Sequence, residues 1–442
     1  MIARQRPPRI CIAPTDTANY FSGLQKGFQG LGIECRFFCF DDSHYSRYRP
    51  GPDAICLERW VFAVARSRFL LGSTLGRLVR RGLMRLLRLT ACTWAIATCD
   101  VFIFGFGRTF LRGWEMPLLS LLKRPIICVY NGSDTRPPWM SGLFAIGPGA
   151  PDPDAMLAEL HRQQRMLRWC ERWSTALVCH PLSAQLLRRP FFNFMQLGNP
   201  CAPAPVPPSI PQGGRTALRI VHAPTQPLRK GSPRFRAIIE QLRREGRSIE
   251  YAELTGRPNH EVMAAIADAD LVLDETYSDI PLAGLGSEAA WAGRAAVVGG
   301  YGRGEVEKFA AGTSLPMELF VHPDDLETTV RRLVDDPAYR IERARMAQAF
   351  LHTHWSPSAV AKRYLAIVDG TAPARWSVDP RTLTYWQGWG APETAIIAAI
   401  QALVRKHGPA ALGISHNPEL ERRLTALATS TIKTSDAAPS DR

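Results

Sequence analysis

Residues 198–217, GNPCAPAPVPPSIPQGGRTA, limit what this chain can fold into more than any other stretch. Pro200, Pro203, Pro205, Pro207, Pro208 and Pro211 remove backbone donors and fix φ, and no apolar period runs through them. Such a segment continues neither a helix nor a central strand, so it is expected to be a linker between separately folded parts. The 442-residue length agrees, because it exceeds what one hydrophobic core usually organises.

On both sides of the linker, apolar runs of strand length alternate with helical patterns. Before it the runs fall at 9–13, 33–40, 101–106, 125–130 and 176–180, with an amphipathic pattern at 154–173. After it, strand patterns at 218–222, 248–254, 270–275 and 294–300 alternate with helical patterns at 232–246, 259–269 and 286–293, and longer helical patterns follow at 323–336 and 338–368. Continuous apolar strands between helices imply parallel sheets covered on both faces. The expected fold is α/β, with two Rossmann-like domains facing across a cleft. The expected divisions are an N-terminal Rossmann-like domain at 1–197, the linker at 198–217, a C-terminal Rossmann-like domain with closing helices at 218–369, a helical extension at 370–427 and a disordered tail at 428–442.

The formal charge of +14 calls for an anionic partner: a phosphorylated substrate, an anionic membrane or nucleic acid. No recognised nucleic-acid motif accompanies the charge, so nucleic acid is not expected. The ten cysteines form no CxxC pair and mostly sit in apolar runs such as RICIA and IICVY, which suits a reducing cytoplasm. The N-terminal apolar run is too short for a signal peptide. The most apolar stretch, Leu89–Gly107, is broken by Asp100 and is expected to be a helix end followed by a buried strand.

In doubly wound sheets, ligands bind beyond the carboxyl ends of strands. Two segments occupy such positions. In HAPTQPLRKGS (222–232), Arg229, Lys230 and Gly231 lie between a strand and a helix, with Thr225 upstream. In GLGSEAAWAG (284–293), Gly284 and Gly286 precede Ser287 and Glu288 at a helix start. Cations with exposed amides suit a diphosphate, and a carboxylate can accept hydrogen bonds from a ribose diol. In YNGSDTRPP (130–138), Asn131, Asp134 and Arg136 stand on a loop leaving a strand, a position suited to acceptor contacts; an Asx-type turn explains the same residues. His180 and His222 end strands and are read as structural. DPD (152–154) and DAD (268–270) are read as helix-terminal residues rather than metal ligands, so no metal site is expected.

These motifs, with NHEVMAAIADADLVLDE and the ending VHPDDLETTVRRLVDD onward, resemble the donor domain of GT-B glycosyltransferases similar to glycosyltransferase family 4. The resemblance covers about residues 218–369, and the N-terminal half joins it only through YNGSDTRPP. It implies transfer of a sugar from a nucleoside-diphosphate sugar to a glycan or lipid-linked acceptor, with retention and without a metal or other cofactor. It gives Arg229 and Lys230 the diphosphate, Glu288 the ribose, and Gly286 and Ser287 amides to phosphate. The family's paired glutamates are spaced so that, with Glu288 second, the first falls at Ile280, beside Asp279. A nucleotide-sugar epimerase of the same architecture and a non-catalytic membrane-associated relative are the alternatives.

Residues 59–99 contain eight arginines and no Asp or Glu. At helical spacing Arg77, Arg81, Arg85 and Arg88 share one side, and Leu71, Leu75, Leu78, Val79, Leu86 and Leu89 share the other. Either this apolar side packs in the core or residues 66–90 meet an anionic membrane surface. The expected location is cytoplasmic, with peripheral attachment to the inner face of the plasma membrane.

Overall fold

The computed structural model describes residues 6–41, 48–67, 72–200 and 216–429. Most of the linker expectation, at 201–215, lies outside them, as do Leu71 and the tail from residue 430. Among the described residues, twelve strands form two sheets. The first contains β1 (Ile10–Ala13), β2 (Cys35–Phe37), β3 (Val101–Gly105), β4 (Ile126–Val129), β5 (Ala176–Cys179) and β6 (Phe191–Asn193). The second contains β7 (Leu218–His222), β8 (Ile249–Glu253), β9 (Leu271–Leu273), β10 (Ala295–Gly299) and β11 (Phe320–Val321). The last strand, β12 (Ser377–Val378), returns to the first sheet.

The orders are β12-β6-β5-β4-β3-β1-β2 and β11-β10-β9-β7-β8. Every pairing is parallel except β12 with β6. In each sheet the first strand lies between the second and third, so the winding reverses between β1 and β3 and again between β7 and β9. The chain is therefore the two-sheet α/β molecule expected from its strand and helix alternation.

The interior runs of β1, β3, β4 and β5 are buried on both faces, as parallel strands between helix layers must be. One face packs on helices Tyr20–Gly30 and Pro357–Val368. The other carries helices Thr74–Thr98, Met116–Leu121 and Pro153–Trp173 through Leu87, Ala91, Ala95, Met116, Leu119, Leu160 and Leu167. That second core continues into the C-terminal half through Leu282, Ala290, Phe350 and Trp355. The chain crosses back after Trp355. Helix Pro357–Val368, inside the span assigned by sequence to the donor domain, lies against helix Tyr20–Gly30, where the Tyr20 and Tyr364 hydroxyls are 2.8 Å apart. Helix Glu393–His407 also sits on the first half, beside helix Pro153–Trp173; nearby, the Trp139 indole donates to the Leu412 carbonyl at 3.1 Å. The Leu89–Gly107 run is a helix end followed by β3. The nine described cysteines are free, and all but Cys56 are buried.

Close approach at the crossing rests on glycine. A Cβ at Gly27 would lie 2.1 Å from the Pro357 carbonyl oxygen, a backbone atom that yields only if the helices separate. Gly27→Ala should therefore lower stability by about 1–3 kcal/mol. Gly82→Ala, on a helix position with nothing within 4 Å of the added carbon, should instead raise it by up to about 1 kcal/mol. Urea midpoints of the two variants against wild type check both signs.

Candidate functional site

The carboxyl ends of both sheets open on one cavity of about 250 Å3. From the first half come Thr17, Tyr130, Asn131, Arg136 and His180; from the second come Glu275, Ser278, Asp279, Ile280 and Gly284; the C-terminal segment adds Trp389.

On the donor side, Arg229 and Lys230 form the end of a one-turn helix, Pro227–Lys230, rather than a loop. Gly231 follows with φ +76°, and a Cβ there would lie 1.8 Å from Thr276 Oγ1. Only glycine lets the turn after β7 pass so close to the turn after β9. That approach brings Lys230 against the acidic end of β9. Its amine pairs with Glu275, whose other oxygen accepts the Trp389 indole N–H. Burial works against the charged amine, yet Glu275 and Asp274 outweigh it and the Lys230 pKa is raised. Arg229 points to the first half, donating through Nε to the Gly142 carbonyl at 3.1 Å, while its Nη1 donates to Gln226 Oε1 at 2.8 Å. Thr225 is exposed nearby.

The second donor segment begins helix Gly284–Trp291. The Gly286 N–H donates to Asp274 Oδ2 at 2.9 Å. Ser287 Oγ donates to the Leu282 carbonyl at 2.9 Å and accepts from Asn199 Nδ2 at 3.3 Å. Glu288 is buried. Gly284 lines the cavity. Asp274 is fully enclosed: burial pushes its carboxyl up to about 7, against the pull of Lys230, and its Oδ1 has no partner.

The acceptor-side loop is ordered by Asp134, which accepts the Asn131 and Gly132 N–H groups and is raised to about 7 by burial. The carboxylate reaches back to N–H groups three and two residues before it, so it ties the loop without forming an Asx turn, whose side chain accepts from two residues on. Asn131 and Arg136 line the cavity instead. Arg136 pairs with Asp279, donating through Nε at 3.1 Å and also through a second nitrogen. Burial raises the Asp279 carboxyl, but Arg136 outweighs it and the net shift is downward. His180 faces this pair with Nε2 unpartnered, its pKa lowered to about 4 by burial. His222 is fully used, bonded to the Leu273 carbonyl and to Ser232 Oγ at 2.8 Å each.

Of the aspartates in the two DxD patterns, Asp154 pairs with Lys406 and His407 and Asp268 pairs with the Arg219 guanidinium, while the other two hold backbone. Asp152 caps helix Pro153–Trp173, and Asp270 accepts the Arg219 N–H. Among the described residues no group of three or more His, Cys, Asp or Glu could hold a metal.

Sequence reading passed over Glu275 and Trp389. The first was visible as the acidic pair ending the apolar run of β9, at the reversal of winding. The second had no local signal beyond Gly388 and Gly390 around it. Both glycines have positive φ, and a Cβ at Gly388 would lie 1.9 Å from the Met140 carbonyl oxygen.

No protein-family model matches the chain, and no curated protein matches it in sequence. Among solved structures it is similar to the glycosyltransferase SnogD from Streptomyces nogalater at 16% identity, over 82% of this chain and 99% of that one, with a TM-score of 0.39. It is similar to Anabaena Alr3699/HepE in complex with UDP-glucose at 11% identity, over 82% and 99%, with a TM-score of 0.43. A third is the catalytic domain of starch synthase IV from Arabidopsis thaliana bound to ADP and acarbose, at 9% identity, over 83% and 99%, with a TM-score of 0.43. Scores and identities this low leave the fold resting on its own sheet order and the site on its own residues.

The raised Asp274 carboxyl makes a pH prediction. Its folded value of about 7 lies above the ordinary aspartate value near 4, so only the folded state holds that proton between the two. Its contribution to stability is complete below about pH 4 and is lost as pH rises through about 7. Asp274→Asn keeps an acceptor for the Gly286 N–H and removes the titration. The variant should gain on wild type by up to about 1.4 kcal/mol per pH unit across that window. Urea midpoints of both proteins at several pH values measure this, and the buried histidines cancel in the difference.

Proposed function

We propose that the chain is a GT-B glycosyltransferase of family 4 type, moving a hexosyl group from a nucleoside-diphosphate sugar to a glycan or lipid-linked acceptor in this cleft. The observation that carries the reading is that both reversals of sheet winding open on one cavity with polar walls from both halves. Such reversals are where α/β sheets bind ligands.

In this reading the bond from the anomeric carbon to the diphosphate breaks, and a bond from an acceptor oxygen forms as its hydroxyl proton leaves. Charge then grows on the departing diphosphate. Lys230 and Arg229 stand at the carboxyl end of β7, where preorganised cations stabilise that charge without a metal. Glu275 is paired with Lys230, so a diphosphate enters by exchanging with that carboxylate. Thr225, Gly231, Gly284, Gly286 and Ser287 border the donor, with Glu288 assigned to the ribose; Asn131 and Arg136 face the acceptor, with Asp134 holding their loop. Retention of configuration belongs to the same proposal.

The pairing of Lys230 with Glu275 and of Arg136 with Asp279 favours one other reading. A cleft that neutralises its own cations suits a non-catalytic relative that no longer binds diphosphate.

A panel of UDP, GDP and ADP sugars, with and without glycan and lipid-linked acceptors, separates these readings. Acceptor-dependent transfer that survives EDTA is expected. Epimerised donor would mark an epimerase, and no product with no nucleotide binding would mark the non-catalytic relative. In an active enzyme, Lys230→Met combined with Glu275→Gln removes the pair without stranding a buried charge. It should fold like wild type and lose about 100-fold or more in kcat/KM; unchanged turnover would remove Lys230 from the mechanism.

A further inference from the structure

Among the described residues, the large apolar side chains most open to water collect on one layer of the first half. Helix Thr74–Thr98 turns Leu87, Ala91 and Ala95 toward the sheet. At 100° per residue, Leu75, Leu78, Val79, Leu86 and Leu89 span an arc of about 100° on nearly the opposite side. All five are exposed, Leu75 by 72%. The amphipathic helix is therefore inverted relative to an ordinary surface helix, whose leucines enter the core. Its neighbours continue the pattern. Trp60 stands 65% exposed on the helix Cys56–Ala65, while Trp114 and Leu121, each 80% exposed, and Leu118 and Leu122 lie on or beside helix Met116–Leu121. The elements are joined: Arg80 donates to the Val64 and Ala65 carbonyls, and Arg88 donates to the Phe110 carbonyl.

The charges sort with the geometry. Arg88 turns inward, its guanidinium 4.4 Å from the Phe40 ring centroid. Arg81 and Arg85 remain exposed along one flank of the leucine stripe, and no acidic residue occurs from 59 to 99. A wide apolar surface on a monomer marks an interaction site. Leucine and tryptophan on the outward side with arginine alone along the edge matches hydrocarbon beneath anionic headgroups. No helix among the described residues is long and apolar enough to cross a membrane.

We propose that this layer seats the protein on an anionic bilayer, with Leu75, Leu78, Leu86, Leu89, Trp114 and Leu121 entering the acyl boundary and Arg81 and Arg85 contacting the headgroups. The seat is independent of glycosyl transfer, because none of these residues lines the cleft. It is also more than an electrostatic attachment: the arginines set the preference for anionic lipid, and the apolar side chains hold the protein once it is there.

Vesicle pelleting of the full chain tests this. Wild type should pellet strongly with vesicles of equal parts phosphatidylglycerol and phosphatidylcholine, weakly with phosphatidylcholine alone, and only partly release in high salt. Arg81→Gln with Arg85→Gln should lower partition into the anionic vesicles on the order of 30-fold, leaving the phosphatidylcholine value unchanged. Leu78→Ser with Leu86→Ser and Leu89→Ser should lower both and make the remaining binding fully salt-sensitive. Thermal transitions should not shift, since the replaced groups are exposed. Wild type that pellets with neither vesicle, or both variants pelleting like wild type, overturns the proposal. A concentration-dependent dimer abolished by the leucine substitutions, with no vesicle binding, overturns it in favour of a second copy as the occupant.

Discussion

The ion pair between Arg136 and Asp279 determines how the two sheets can face each other. Each side chain is almost fully buried, and each belongs to a different half. A charge buried without a partner costs several kcal/mol, and removing one member of a buried pair costs roughly 3–5 kcal/mol. The halves therefore have one mutual placement in which both charges are satisfied. Directional contacts around the pair keep that placement: Arg229 reaches the Gly142 carbonyl from the second half, and the Gly390 N–H donates to the Tyr277 carbonyl at 2.8 Å. Segment Tyr385–Gly390 adds a third strut. It is bonded to Met140 and Gly142 on one side and to Glu275 and Tyr277 on the other. The cavity is the space these bonds leave open.

The charge expected from composition is not concentrated in that space. Arg136 and Lys230 have buried carboxylates against them, and Asp274 adds a carboxyl that burial drives toward neutrality. The acid-free run of arginines lies on the helical layer of the first half instead, beside exposed leucines. A net charge of +14 thus describes a surface more than a ligand site. Composition indicates an anionic partner, but burial decides which cations are available to meet it.

The central strands were legible because parallel strands covered on both faces must be apolar throughout, which is why RICIA, IICVY and LRIVH mark β1, β4 and β7. The loop glycines were legible too, since Gly231 stands where two turns touch. The short strands at one side of the first sheet were not: β6 and β12 have three and two residues, too few to show any period. Nor could the sequence place Trp389 in the cleft, because its partner Glu275 is 114 residues away. Periodicity showed that helix Thr74–Thr98 has a leucine side and an arginine side. It could not say which side faces the sheet, because that depends on Leu87, Ala91 and Ala95, small and large apolar residues that continue into the arginine side near the helix end.

The cleft's own neutrality shapes any ligand it accepts. In the proposed reaction, a diphosphate displacing Glu275 from Lys230 would bring negative charge beside Asp274, whose carboxyl already sits near 7 with one oxygen unpartnered. The added charge raises that value further, so Asp274 takes up a proton as the anion enters. The buried site then accommodates the phosphate charge by neutralising one of its own carboxyls. Glu275, released from Lys230, keeps the Trp389 indole as a donor and gains an open oxygen toward the cavity, where a sugar hydroxyl can donate to it. The same acidic pair at the end of β9 would thus serve two purposes, one carboxyl absorbing charge and the other receiving the sugar. A buried lysine flanked by two carboxyls, one of them raised to about 7 by burial, has this capacity for exchange, which a permanently exposed cation lacks.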